Sequence, residues 1–405
     1  MKQEVKVLAT TTISQSGDLS PENIYRQAMI YAGQNAGVCY SKDEFLKVET
    51  MEEQEKCIKR AKNHGALHQS IHDHFFITFQ IKLPKYMAMI LNSINVYNTS
   101  EKSSRYIEME PETELEMELY KKWLDKFPVI LSNTIDKEEY PLTEKEINKF
   151  AKENARYLIS VFTPTMMTYT VSFRTAILLS LYLKEYFVVG QLYVPYNIAS
   201  EYAAELSDLI LKAIGVNEEN IPLTNIKNQT IRFLNNSNDK EEVIGDSYTL
   251  RYKGSLAMVA QAQRHRSIRY SIGRLEPYEY YIPPILLESK SNETFKKEWE
   301  SDLQKLSDSI VPQALLVDVT EQGIFEDFAL KCKERLCSRA QLEIRNSTKE
   351  NLLKFNNEAS NLSSSNIRLL YSMIDYNNNV LPRCRFRDFV CQELCHKKEK
   401  LSDII

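Results

Sequence analysis

The stretch "AQAQRHRSIRYSI", Ala260 to Ile272, concentrates the most chemistry in this 405-residue chain. Gln261, Arg264, His265, Arg266 and Arg269 stand there beside Tyr270. On a helix Gln261 and Arg264 share a face, while Arg266 points elsewhere. Guanidinium forks match phosphate oxygens, or charge building on a ring oxygen, so the stretch is a candidate anion site. A solvated basic helix end accounts for it equally well. Arg269 and Arg274, interleaved with Tyr270, Tyr278, Tyr280 and Tyr281, also suit stacking on single-stranded nucleic acid. Upstream, "NTSEKSSRY" (Asn98 to Tyr106) sets Glu101, Ser103 and Arg105 at alternate positions. In an extended loop these project to one side as an acceptor, a hydroxyl and a cation, a set that grips a polar ring and its phosphate. An ordinary polar loop is the competing explanation.

Two further clusters contain metal-ligand types. His64, His68 and His72 repeat at four-residue spacing, and on one continuous helix their imidazoles share a face. No second ligand group completes a metal site, and a polar helix end before a strand explains them more simply. Cys384, Cys391, Cys395 and His396 lie at spacings of an amphipathic helix, which favours buried thiols over zinc. No residue is assigned to a metal.

The elements that position these groups come in two similar runs. "FFITFQIKLPKYMAMILNSIN" (Phe75 to Asn95) lies on "DSYTLRYKGSLAMVAQAQRHR" (Asp246 to Arg266), each an alternating strand around Thr78 or Thr249 followed by a helical stretch. "GQLYV" (Gly190 to Val194) echoes "AQLEI" (Ala340 to Ile344) in the same order. "NNSNDKEE" (Asn235 to Glu242) reads as the connection between the runs. Arg105 to Phe127 reads as a charged, solvated helix, and Tyr157 to Ala199 as buried core helices.

Composition narrows the class. Fifty-one Lys and Arg against fifty-five Asp and Glu give a net charge of -4. Such a surface does not attract nucleic acid or anionic lipid as a whole, so any basic site is local. The opening "MKQEVKVLATTT" lacks a signal-peptide core, and the apolar stretch is broken by charges and Pro195. With seven cysteines, an odd number, the expectation is a cytoplasmic protein. Glycine is scarce at ten residues, and none is spaced for a dinucleotide-binding fingerprint or a P-loop, so arginines must hold any phosphate.

In this order the pieces resemble the flavin-dependent thymidylate synthases. The first half offers "NAGVCY" (Asn35 to Tyr40), His68, Ser70, Asp73-His74, "EKSSRY" (Glu101 to Tyr106), Arg156 and "TVSFR" (Thr170 to Arg174). The second offers Gln261, "RHR" (Arg264 to Arg266), "YEYYIPP" (Tyr278 to Pro284), Arg335 and "RAQLEI" (Arg339 to Ile344). Each half departs from the family's pattern. The first reads Ser93-Ile94-Asn95 where the family has R-H-R, and the second lacks the Glu-x-Ser-x-Arg-Tyr loop. The second also has Ile324 and Glu326 in the places of Ser172 and Arg174, and the first has Lys184 near the place of Arg335.

The resemblance implies an α+β fold in two tandem copies, a sheet with long packed helices in each. The first copy spans residues 1–220, a truncated second copy 221–350 and a helical C-terminal extension 351–405. It implies conversion of dUMP to dTMP with FAD, using NADPH and methylenetetrahydrofolate as co-substrates, in a homo-oligomer of fused pseudo-dimers. The site is expected to be composite, each copy supplying what the other has lost. Ser103, Arg105 and Arg264 are the expected catalytic residues, with Glu101, Arg156, Gln261 and Arg335 on the substrate. Ser70, Asp73, His74, Arg174, His265 and Arg266 are expected at the flavin. Three readings compete: a flavoenzyme alkylating another pyrimidine nucleotide, an inactive nucleotide-binding or assembly homologue, and, weakest, a nucleic-acid-binding module.

Overall fold

The computed structural model describes residues 1–11, 17–40, 48–65, 69–93, 97–136, 141–189, 196–217, 219–222, 241–273, 275, 277–288, 292–307, 310–337 and 339–386. Two compact units emerge, and neither follows the linear boundaries at 220 and 350. One comprises Met1–Lys102 and Pro164–Arg232, the other Ser103–Thr163 and Phe233–Ile405. The segment between Ser103 and Thr163 therefore packs with the C-terminal half of the chain.

The first unit is built on a four-stranded sheet in the order β1-β2-β4-β3. These strands are β1 (Glu4–Thr10), β2 (Phe76–Pro84), β3 (Asn98–Glu101) and β4 (Pro164–Ser172). β2 alternates apolar and polar residues, and Ile77, Phe79, Ile81 and Leu83 are its buried face. β2 and β4 pair antiparallel over nine residues, from Phe76↔Ser172 to Pro84↔Pro164, and β3 joins the far side of β4 at Asn98↔Thr170. The expected all-helical run from Tyr157 thus opens in a 3-10 turn, Arg156–Leu158, and then contains a strand before its first α-helix. Its "TMMTYTV" is rich in β-branched and aromatic residues, which suit a pleated surface.

Among the described residues five α-helices belong to this unit: α1 (Pro21–Tyr40), α2 (Met51–Gly65), α3 (Lys85–Leu91), α6 (Phe173–Val189) and α7 (Tyr196–Ala213). α2 ends at Gly65 and a 3-10 turn occupies Gln69–Asp73, so His64 and His72 do not share one helix. His68 lies outside the described residues, as does the "GQLYV" echo.

The second unit repeats the pattern with three strands in the order β5-β7-β6. β5 (Ser247–Ser255) and β7 (Leu316–Ile324) pair antiparallel from Ser247↔Ile324 to Ser255↔Leu316, again nine residues. β6 (Arg269–Gly273) joins β7 at Arg269↔Gln322. Each sheet has its long central strand last in sequence, and β2 and β5 each lead straight into a seven-residue helix, α3 or α8 (Leu256–Ala262). Even one side-chain contact recurs. Thr78 and Thr170 share a hydroxyl hydrogen bond of 2.9 Å, and Gln322 donates to Thr249 at 3.1 Å.

Around this sheet lie α4 (Glu114–Thr134), α5 (Glu144–Ala155), α9 (Glu293–Ser307), α10 (Phe325–Arg335), α11 (Leu342–Asn357) and α12 (Ser364–Leu370). The charged segment expected to be a solvated helix from Arg105 starts its helix only at Glu114, capped by Thr113. It also buries Trp123 and Phe127 against Trp299 of α9. Asp302, fully buried, accepts from Trp123 at 2.9 Å and Lys122 at 2.6 Å. The expected boundary at 350 falls inside α11, and Leu352, Phe355, Leu370 and Phe386 join the core around Phe325 and Phe328. The extension is core, at least as far as Phe386. Cys391, Cys395 and His396 lie outside the described residues, and Cys384 is half-buried and in no disulfide.

Candidate active site

The basic stretch of the second unit is held by its helix at one end and a buried carboxylate at the other. Ser255 caps α8 by accepting from the Met258 amide at 3.0 Å. Its own amide and hydroxyl donate to Glu343 at 2.7 and 2.6 Å, and Tyr157 donates to the same carboxylate at 2.7 Å. Burial raises the proton affinity of Glu343, against these hydrogen bonds and the nearby Arg156. α8 stops at Ala262, because Arg264 and His265 turn back to donate to the carbonyls of Gln261 and Ala262. Arg264 therefore sits on a turn rather than on the helix face predicted for it beside Gln261.

α10 supplies the partners. Arg335 donates from Nε to His265 Nε2 at 2.9 Å and from a terminal nitrogen to the Gln261 carbonyl at 3.1 Å. His265 was expected at a flavin; the structure instead joins it to Arg335. One turn earlier on α10, Lys331 pairs with Glu321 of β7 at 2.6 Å, both side chains almost completely buried. Tyr248 and Tyr252 also donate to Glu321, and the Lys331 ammonium lies 5.6 Å from the Tyr252 and Tyr270 ring centres. Burial first, then Arg335 and Lys331, depress the His265 pKa to about 2, so the ring is uncharged. Both amide atoms of Gln261 are buried without a partner.

A further pair of guanidinium groups lies in the same unit. The loop expected to extend from Glu101 to Arg105 instead turns at Ser103, whose carbonyl accepts from the Tyr106 and Ile107 amides. The alternation of Glu101, Ser103 and Arg105 is therefore broken. Arg105 pairs with Glu153 at 3.0 Å and donates to the Arg339 carbonyl. Arg156, 4 % exposed, donates to Ser104 at 3.2 Å and to Gln341. Burial lowers the proton affinity of Arg335 most, and Arg105 and Arg264 add to it, which places three guanidinium groups within electrostatic reach of one another. Arg105 acts on Arg156 in the same sense. Arg266 is exposed.

The remaining candidates fall in the first unit. Glu101 pairs with Lys85 and accepts from Asn92 at 3.3 Å, so its carboxylate is already engaged there. Asp73 accepts from Ser172 at 2.9 Å and from Arg174 at 2.7 Å. Arg174 keeps a buried Nε without a hydrogen-bond partner, and Ser70 and His74 are exposed. Lys184 pairs with Asp208 at 3.1 Å. Among the described residues no group of three or more His, Cys, Asp and Glu could hold a metal ion.

Residues 27–182 match the family model described as thymidylate synthase complementing protein. Through this segment, less than half of its length, the chain is similar to that family. The match takes in Ser70, Asp73, His74, Glu101, Ser103, Arg105, Arg156 and Arg174, and stops short of Gln261, Arg264 and Arg335. Among solved structures, the chain is similar to thymidylate synthase X from Helicobacter pylori with FAD and dUMP. Identity is 17%, over 53% of this chain and 97% of that one, with a TM-score of 0.30. A second structure of the Helicobacter pylori enzyme, complexed with FAD and dUMP, gives 18%, 55%, 100% and 0.31 in the same order. The UMP/dUMP methylase PolB from Streptomyces cacaoi, bound with 5-Br dUMP, gives 14%, 53%, 96% and 0.31. No curated protein matches.

The sequence reading missed Glu153, Glu321, Lys331, Gln341 and Glu343. Each is a charged or polar residue on an otherwise ordinary helix or strand, or at a helix N-cap for Gln341, and only the tertiary packing shows that it is tied to the arginine cluster or buried beside it. One signal was present for Gln341 and Glu343: they lie within "RAQLEI", part of the quoted family pattern.

Proposed function

We propose that the protein is a flavin-dependent methyltransferase that converts dUMP to dTMP, with methylenetetrahydrofolate as carbon donor and NADPH as reductant. One observation carries this reading: Arg105, Arg156, Arg264 and Arg335 are gathered in one unit, although two come from each half of the sequence. Clustered guanidinium groups repel one another and are retained where an anion offsets them.

In this reading Arg264 and Arg335 bind the nucleotide phosphate. Arg105 stabilises charge developing on the pyrimidine, with the Ser103 hydroxyl beside it and Arg156 holding the turn from behind through Ser104. The unpartnered amide of Gln261, one donor end and one acceptor end, matches the imide edge of uracil. Glu101 is not assigned to the nucleotide, because Lys85 already neutralises it.

The first unit suits a flavin dinucleotide. Arg174 has one end of its fork on Asp73 and a buried Nε with no partner, which matches a pyrophosphate oxygen, with Ser70 and His74 exposed nearby in sequence. FAD, when bound, supplies the hydride chemistry that this chain's own side chains lack. Asp73 and Ser172 orient Arg174.

The shared register of the two sheets supports two copies of one strand–helix frame with complementary losses, and an oligomer of such chains. The turn at Ser103 changes the expected nucleotide loop, which keeps UMP in view as the acceptor. The test is the absorbance spectrum of the purified protein, titrated with dUMP and then UMP. Flavin bands perturbed by dUMP support the reading, and a response to UMP alone moves the acceptor. A colourless protein that takes up no added FAD overturns it.

A further inference from the structure

The charges beneath the arginine cluster are not needed to form the strand–helix frame. α6 and α10 each begin immediately after the central strand of their sheet. At the helix positions where α10 carries Lys331 and Arg335, α6 carries Leu179 and Leu183, each buried to 1 % exposure. Where β7 carries Glu321, β4 carries Tyr169. The same frame therefore closes without buried charges, on two leucines and a tyrosine whose hydroxyl donates to the Leu91 carbonyl at 2.7 Å. Burying an ion pair instead is roughly neutral or unfavourable for stability, so the polar version calls for another explanation.

The contacts of Arg335 supply one. Its two hydrogen-bond acceptors, His265 Nε2 and the Gln261 carbonyl, are both neutral. They fix the plane of the guanidinium and carry no charge of their own to cancel it; Glu334 is the carboxylate that acts on Arg335. The carboxylate nearest His265 is Glu334, 3.9 Å away with its side chain 63% exposed, where water screens it. Arg105 and Arg264 add positive potential. An imidazolium at His265 would remove the acceptor and place a second cation against Arg335. Arg335 and Lys331 oppose that protonation, and Glu321 holds the Lys331 side chain in place at 2.6 Å.

We propose that His265 is a positioning residue: its uncharged imidazole aims the Arg335 guanidinium at the nucleotide phosphate without neutralising it, and buried Lys331 keeps the ring uncharged. The ligand named here rests on the proposed function, whereas the His265–Arg335 arrangement does not.

The experiment has two arms on the full chain. In the first, protein labelled with 15N in its six histidine rings is followed from pH 5 to pH 8. One ring, identified by its loss in His265→Gln, is expected to stay neutral with a bare Nε2 throughout, and in Arg335→Gln it should titrate at mildly acidic pH. A wild-type His265 that titrates between pH 5 and 8 overturns the proposal. In the second arm dUMP affinity is measured. His265→Ala should weaken it about ten- to hundredfold, the size of a lost hydrogen bond to a charged group. His265→Gln, which restores an acceptor, should recover most of the loss. In an Arg335→Ala background His265→Ala should change nothing further. A purely structural role would give additive losses and no rescue by Gln, and that result also overturns the proposal. A wild-type protein that binds no dUMP, with the first arm as expected, removes the functional reading and leaves the positioning of Arg335 standing.

Discussion

Arg264 and Arg105 come from distant parts of the sequence, yet both act on Arg335. Replacing either by Ala is expected to weaken dUMP binding at least tenfold with an unchanged circular dichroism spectrum, since each removes a charge-assisted contact. Wild-type affinity in either variant would break the shared site. His72 makes a separate prediction. It is fully buried against Phe173 with neither ring nitrogen hydrogen-bonded, and burial above all lowers its pKa to about 4. The unfolded ring titrates near 6.5, so as pH falls below that value the unfolded state takes up a proton that the folded state refuses. Stability is therefore whole above about pH 6.5 and is lost towards pH 4, with about 2 kcal/mol gone between pH 7 and pH 5. His265 has the same sign and a lower folded value. Urea unfolding of His72→Leu at the two pH values should show a shallower decline than wild type; an identical slope would mean that His72 is not held neutral.

At the scale of elements, the helix crossing of α1 and α2 rests on Gly33. A Cβ there would stand 2.1 Å from the Cys57 carbonyl oxygen and 2.5 Å from its carbon. Backbone cannot yield as a side chain tip does, so Gly33→Ala should cost about 1–3 kcal/mol. That outweighs the roughly 0.5–1 kcal/mol that Ala gains within a helix. A lowered melting temperature checks it, and a raised one would deny the close crossing. One strand of each sheet, β2 and β5, was legible in the sequence, because alternation around Thr78 and Thr249 is a local signal with a period of two. So was the equal spacing from those threonines to Ser93 and Arg264, each two residues past the end of its helix. The central strand β4 was not, since its buried faces merge with the apolar helix α6 into one hydrophobic run. The buried Lys331 and Glu321 were invisible for a related reason. Charged residues on a helix and a strand read as solvent-facing, and only the pairing of β7 with both its neighbours puts Glu321 inside. The gathering of the arginines was legible in kind but not in geometry: residue types named the chemistry, while the turns at Ser103 and after Ala262 set its shape.

For the molecule as a whole, the two sheets share a register but not their chemistry. Gln261 and Arg335 are matched at the same helix positions by Ile90 and Leu183, both buried. Titration calorimetry is therefore expected to saturate at one dUMP per chain. Two equivalents would require a second cation set in the first unit, where these positions are apolar. No helix among the described residues is long and apolar enough to cross a membrane.

Each sheet is threaded so that its middle strand arrives last. β2 and β3 both lean on β4, and β5 and β6 both lean on β7. During synthesis, β3 has no partner until Ser172 has left the ribosome, and β5 and β6 wait in the same way for Ile324. Between those moments lies a nascent chain with open strand edges, the state most exposed to mispairing. Truncating the gene anywhere between β3 and β4 would release a polypeptide arrested at that vulnerable stage.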